Sequence, residues 1–234
     1  MSWIDGPMLG FDTETTGTDT ANDRIVTAAL VFSTGPGREG ETVATWLINP
    51  GVEIPEQASR VHGISTEHAR AYGMEPAPAL EEIAVRIVEC LEQGAPIVAF
   101  NGGFDLSIIE AELSRNGLPT IEDRLGRAIA PVVDPLVLDR GLDRYRKGKR
   151  NLSTLMEVYG IEEPEGNMHT ADVDVSMTLD VLRAMAKKHT VIAESDLAEL
   201  HKKQIELHRA WAENFIDYLK RQGKTPDVNP VWPL

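Results

Sequence analysis

The sequence predicts an α/β fold: a mixed five-stranded sheet flanked by helices, with a helical extension at the C-terminal end. Two observations carry this expectation. Three strand-like runs lead the chain, after which helix and strand patterns alternate, as in a mixed sheet with helices packed on its faces. After Asp134 the strand signals stop, and from about residue 194 one long amphipathic pattern follows.

The elements follow in order. Met8-Leu9-Gly10-Phe11 reads as a short buried strand running into Asp12. Arg24 to Ser33 and Glu41 to Ile48 are rich in β-branched and aromatic residues, and the turn cluster Thr34-Gly35-Pro36-Gly37 joins them as an antiparallel hairpin. A loop with Pro50-Gly51 and Pro55 precedes a short helix over 65–71. Leu80, Ile83, Ile87 and Leu91 recur at helical spacing and predict a helix over 79–93, stopped by Gly94. Pro96 to Phe100 is a buried strand, 104–116 a helix closed by Gly117, and Pro131 to Asp134 the fifth strand. Helices are then expected at about 136–142, 151–159 and 171–188. The last, over 194–221, carries Leu197, Leu200, Leu207, Trp211, Phe215 and Leu219 on one stripe, and the Pro-rich 225–234 cannot continue it. This divides the chain into a catalytic unit, 1–190, and an extension, 191–234. The stripe is too continuous to stay in water, so the extension should cover either the chain's own surface or a partner, and a self-contact is the commonest arrangement.

Bulk composition narrows the classes. With 42% hydrophobic and 26% charged residues in 234, the chain has the make-up of an ordinary soluble globular protein. Cys90 is the only cysteine, which excludes an intrachain disulfide, and its setting on a helix suggests a core thiol. No signal pattern opens the chain and no apolar run reaches membrane-spanning length, so a cytoplasmic location and no membrane contact are expected. A net charge of −14 argues against a wide duplex-binding footprint. It is compatible with an enzyme that grips a few terminal nucleotides through cations held by its carboxylates.

Three clusters carry the chemistry. Asp12 and Glu14 lie two apart on a strand end, so both side chains point to one side, where an oxygen-preferring cation would relieve their repulsion. Thr15-Thr16-Gly17 turns the backbone close to whatever they hold, although a solvated acidic turn has the same residues. Asn101-Gly102-Gly103-Phe104-Asp105 follows a buried strand, where ligands of open α/β sheets gather. Helix capping by Asn101 or Asp105 explains the same residues and is compatible with ligation. In His169-Thr170-Ala171-Asp172-Val173-Asp174, helical phase separates the aspartates. Asp172 shares a polar stripe with Ser176, Asp180, Arg183 and Lys187, and reads as surface, whereas Asp174 heads the inward face with Thr178, Val181 and Met185. His169 falls on the approach loop, just ahead of the N-cap candidate Thr170.

Taken in order, these motifs resemble the DEDDh 3′→5′ exonucleases, the family of the proofreading ε subunit of bacterial DNA polymerase III within a superfamily that includes RNase T. The likeness spans residues 8–188. Phe11-Asp12-Thr13-Glu14-Thr15-Thr16-Gly17 matches the first family motif, Val61-His62-Gly63-Ile64 a later element, and Asp134 to Arg140 an Asp-x-Leu-x-Leu segment. Phe100 stands where many members have His. The resemblance implies an RNase H-like fold, ligation of two divalent cations (Mg²⁺ or Mn²⁺) by Asp12, Glu14, Asp105 and Asp174, and His169 as general base. It also implies that Val61, His62 and Ile64 line the pocket for the terminal nucleotide, with Thr15, Asn101 and Phe104 beside them. Arg144-Tyr145-Arg146-Lys147-Gly148-Lys149-Arg150 concentrates five positive charges, making Arg144 and Arg146 candidate phosphate contacts unless the segment is simply a solvated loop. The expected substrate is the single-stranded or frayed 3′ end of DNA. An RNA-directed enzyme of the same superfamily is the alternative, because the cations do not read the 2′-OH. A haloacid-dehalogenase-type phosphatase, echoed faintly by Phe11-Asp12-x-Glu14-Thr15, leaves the His169 cluster without a role. A docking module acting through 194–221, as a homodimer or on a polymerase, leaves the ligand set unexplained.

Overall fold

The first strand, β1 (Met8–Thr15), runs on past its apolar start, so that Asp12 and Glu14 are strand residues. It pairs antiparallel with β2 (Ile25–Ser33), which pairs antiparallel with β3 (Glu41–Leu47). On its other side β1 pairs parallel with the two-residue β4 (Ile97–Val98), and β4 with β5 (Val132–Val133), giving the order β3-β2-β1-β4-β5. This mixed five-stranded sheet is the predicted one. The computed structural model describes residues 2–162 and 170–234. His169 lies outside them.

Helices cover both faces. They are α1 (Glu56–His62), α2 (Thr66–Tyr72), α3 (Pro76–Glu92), α4 (Gly102–Arg115), α5 (Ile121–Leu125), α6 (Pro135–Leu142), α7 (Leu152–Tyr159), α8 (Ala171–Lys188), α9 (Thr190–Glu194) and α10 (Leu197–Arg221). Leu9 and Phe11 look toward α3 and α4, while Met8, Val98 and Val133 look toward α8. The apolar spacing of α3 buries Leu80, Ile83 and Ile87 completely. Cys90 packs half-buried against this layer, and burial pushes its thiol pKa up.

Gly10 decides how closely α8 can sit. A Cβ there would stand 2.2 Å from the Val175 side chain, so only glycine lets the helix come this near β1. That approach brings Asp174 to the strand carrying Asp12 and Glu14.

Several expectations are corrected. The Pro-rich stretch before residue 65 contains α1, whose last turn carries Val61 and His62 and which ends at Gly63 in the left-handed region, φ +77°. A seven-residue helix is too short for periodicity to reveal. The short α5 was also missed, although Thr120 and Asp123 form a capping box that marks its start. The helix expected over 194–221 is α10, which starts three residues later at Leu197, where Asp196 caps it by accepting from Ala198 N–H, and the separate short helix α9 precedes it. The polar stripe of α8 is not all surface either. Ser176 and Arg183 are buried against the β2–β3 hairpin, where Ser176 donates to Glu41 (2.9 Å) and Arg183 to Ser33 (2.6 Å) and Gly35 C=O (2.9 Å). Helical phase reads polarity, and polar groups are buried when they are paired.

The stripe of α10 finds much of its cover within the chain. Leu200 is buried beside the α8 layer, and Leu207 fits against Gly141 of α6. Gln204, fully buried, accepts from Asp134 N–H (2.7 Å) and donates to Val132 C=O (2.9 Å), thereby satisfying the backbone at the outer edge of β5. Trp232 of the tail joins the core on the α3–α4 side. Residues 191–234 thus pack as a layer on the preceding α/β part of the chain.

Candidate active site

The acidic residues converge at the carboxyl ends of the central strands. Asp12 and Glu14, two apart on β1, share one face, and Asp174 in the first turn of α8 meets them. One carboxylate oxygen from each lies within 4.8 Å of the others. Asp105, in the first turn of α4, is buried and held on the other side of β1, its Oδ1 accepting from Thr13 N–H (2.9 Å) and Thr13 Oγ1–H (2.7 Å). It is close enough to Asp12 to raise that residue's pKa.

Asp134, known from the sequence only as part of a motif, organises the neighbouring loop. Buried at the end of β5, it accepts from the backbone N–H groups of Asn101 (3.1 Å), Gly102 (3.0 Å) and Leu136 (2.8 Å). Asn101 itself sits in the left-handed region, φ 63°, which turns the chain sharply into α4. Gln204 thus reaches the site loop through Asp134.

The electrostatics follow from the crowding. Burial, then Asp105, Glu14 and Asp174, raise the Asp12 pKa well above the carboxylate range. Burial and then Asp174 push Glu14 up to about 7. Burial pushes Asp105 up to about 7 against the lowering effect of the Thr13 hydrogen bonds. Hard oxygen donors this close, each resisting ionisation, fit a divalent cation such as Mg²⁺ or Mn²⁺. Each folded-state pKa is raised, so the stability these groups contribute to metal-free protein is present below about pH 4 and lost as pH rises through about 7. The loss is expected to reach about 1.4 kcal/mol per pH unit for a buried group such as Asp105, and less for half-buried Glu14. Thermal melts in chelator should show the melting temperature falling across this window, and excess Mg²⁺ should flatten the fall. A melting temperature that rises with pH in chelator would contradict it.

A cleft of about 560 Å³ opens beside these carboxylates between β1, α1 and α4, with Thr15, Val61, His62, Asn101 and Phe104 in its walls. A smaller hollow of about 260 Å³ on the other side of Glu14 and His62 includes Ile64 and Asp172. Thr15, Val61, His62, Asn101 and Phe104 are thus brought to one cleft, whereas Ile64 faces the other hollow, and Val61, 56% exposed, offers an apolar lip. His62 Nδ1 accepts from Ile64 N–H (3.2 Å), which leaves the ring proton on Nε2. Burial lowers the His62 pKa, and Nε2 has no hydrogen-bond partner among the described residues. Arg144 and Arg146 lie elsewhere, in a hollow against α10. Arg146 is bound to buried Asp139 (2.7 Å), which Arg150 also contacts, so it has a structural duty that the sequence did not reveal.

An RNase H-like sheet with acidic residues gathered at its strand ends defines the class: a nuclease-type hydrolase fold. The exonuclease family typified by RNase T matches residues 9–182, and the chain belongs to that family. A DNA polymerase III subunit epsilon-like protein of Rhodobacter capsulatus is 33% identical over 172 residues, covering 73% of this chain and 22% of the relative. A PolC-type DNA polymerase III of Caldanaerobacter subterraneus subsp. tengcongensis is 28% identical over 200 residues, 85% of this chain and 13% of the relative. The chain thus spans less than a quarter of the length of these curated relatives. Among solved structures, E. coli exonuclease I in complex with a dA16 oligonucleotide superposes with a TM-score of 0.66 at 18% identity, covering 87% of this chain and 44% of that one. Exonuclease I of Methylocaldum szegediense gives 0.64 at 22% identity, covering 80% and 42%. No helix among the described residues is long and apolar enough to cross a membrane.

Proposed function

We propose that this chain is a 3′→5′ exonuclease that releases nucleoside 5′-monophosphates from the 3′ end of DNA, with two divalent cations at the acidic site. The observation that carries the reading is the meeting of Asp12, Glu14 and Asp174 oxygens beside a cleft sized for a nucleotide. Asp12, Glu14 and Asp174 would hold the cations, with Asp105 completing the set from the α4 side. Cations bound there supply Lewis acidity and neutralise charge in an in-line displacement at phosphorus. His62 Nε2–H donates to the terminal nucleotide, Val61 packs on its sugar or base, and Phe104 offers a ring for stacking. His169 takes the proton from the attacking water, a task suited to an unperturbed imidazole pKa of about 6.5. DNA is preferred over RNA because the relatives are DNA polymerase III chains, and the same likeness makes a polymerase partner and a cytoplasmic setting part of the proposal.

The test is digestion of matched single-stranded DNA, duplex DNA, mismatched-end DNA and RNA with Mg²⁺ and with Mn²⁺. Chelation and a 3′-phosphate should each abolish monophosphate release. His169→Ala should slow turnover by about 10²–10⁴-fold with cation affinity preserved. Cleavage of circular DNA would overturn the exonuclease reading, and a strong preference for RNA would move it to the RNA-directed alternative.

A further inference from the structure

The second half of the α10 stripe is covered only in part. Trp211, Phe215 and Tyr218 stack along the helix with rings nearly parallel: Trp211 and Phe215 at 5.5 Å and 19°, Phe215 and Tyr218 at 6.2 Å and 12°. Phe215 is 38% and Tyr218 51% exposed. The Arg140 guanidinium lies 3.7 Å over the Trp211 ring, and Arg144 lies over the exposed ring of Tyr145. Residues 139–150 carry six cations against two acids, a local excess of +4 in a chain of net charge −14.

These features adjoin the cleft. Asn101 and Phe104 form a wall shared by the cleft and a second hollow of about 390 Å³ that reaches Trp211 and Phe215. Arg140 and Trp211 are shared in turn by that hollow and a third, of about 410 Å³, bordered by Arg144. Three hollows, neighbours through shared walls, thus run from Glu14 to Trp211, Phe215 and the guanidinium groups, with Tyr218 one turn beyond Phe215 on α10. Asp134 in its wall is already bound by backbone N–H groups, while Asp227 disfavours a phosphate at the tail side.

We propose that this run of hollows is a track for single-stranded DNA behind the 3′ end, with bases stacking on Phe215 and Tyr218 and phosphates facing Arg140 and Arg144. The assignment rests on the exonuclease reading for the direction of the strand. Flat, exposed rings set among cations suit a strand that offers both base faces and phosphates. A neutral protein surface would leave the charge excess unmatched.

The test compares wild type with Phe215→Ala/Tyr218→Ala and, separately, Arg144→Gln. Binding of a labelled oligothymidylate of about 16 nucleotides is measured in chelator, and KM for that oligomer and for a trinucleotide is measured with Mg²⁺. Thermal melts establish that the variants are folded. The double aromatic variant should bind the oligomer about 5- to 150-fold more weakly, and Arg144→Gln should reduce the salt dependence of binding. In wild type the long oligomer should have the lower KM, and the aromatic variant should lose most of that advantage. Equal oligomer binding by wild type and the double variant, or a wild-type KM independent of length, would overturn the track. Tighter binding of oligouridylate than of oligothymidylate would overturn its assignment to DNA. Nuclease activity without length dependence would leave the catalytic reading standing and sink the track. Length-dependent binding without any nuclease activity would do the reverse.

Discussion

Asp174→Ala is expected to lower turnover at least about a hundredfold, and Asp172→Ala to cost at least about tenfold less than that. Both residues lie in the first turn of α8, two apart, so the contrast tests geometry more than composition. Asp174 joins Asp12 and Glu14 within 4.8 Å, whereas Asp172 stands in the smaller hollow beyond Glu14 and His62. Steady-state rates with Mg²⁺, together with calorimetric titration of Mn²⁺ into each variant, separate the two. Asp174→Ala should weaken cation binding and Asp172→Ala should not. Equal losses would mean that the site extends along α8 in a way the Asp12–Glu14–Asp174 triangle does not describe.

Truncation after His189 is expected to abolish cooperative folding. Read as an appendage, residues 191–234 could be removed with some activity kept and only solubility or oligomeric state altered. The packing of α10 leads to a different expectation. Removing it strips Leu200 from the core and Leu207 from α6, and leaves Val132 C=O and Asp134 N–H without their Gln204 partners. Gln204→Ala alone should cost about 1–3 kcal/mol, the usual range for buried polar groups left unsatisfied. It should also loosen the Asn101 loop, because Asp134 links the two. Circular dichroism melts and sedimentation velocity read both effects. A truncated chain that melts at the wild-type temperature as a monomer would show that the layer contributes nothing.

The strongly patterned parts of the molecule were legible as residues. Long strands with β-branched runs, the apolar spacing of α3 and the phase of α8 each record a burial preference that any packing must honour. The failures have equally local causes. Helix α1 is too short to show a period, and the pairing that buries Ser176 and Arg183 joins α8 to residues more than a hundred positions away. Arg146 looked available because charge density does not show that Asp139 already holds it.

By itself, the sequence determined the five strands and the longer helices α3, α4 and α8, the placing of Asp12 and Glu14 on one strand face, and the inward phase that brings Asp174 to them. Those follow from repeat periods of two and 3.6 residues, which are properties of the chain alone. Only the tertiary structure decided how near the groups come. Gly10 admits α8 to β1, Thr13 fixes Asp105, Asp134 shapes the Asn101 loop, and Gln204 turns a C-terminal helix into the seal of the sheet edge. Each depends on contact between segments far apart in the chain, where close packing and hydrogen-bond satisfaction rule and local pattern carries no information.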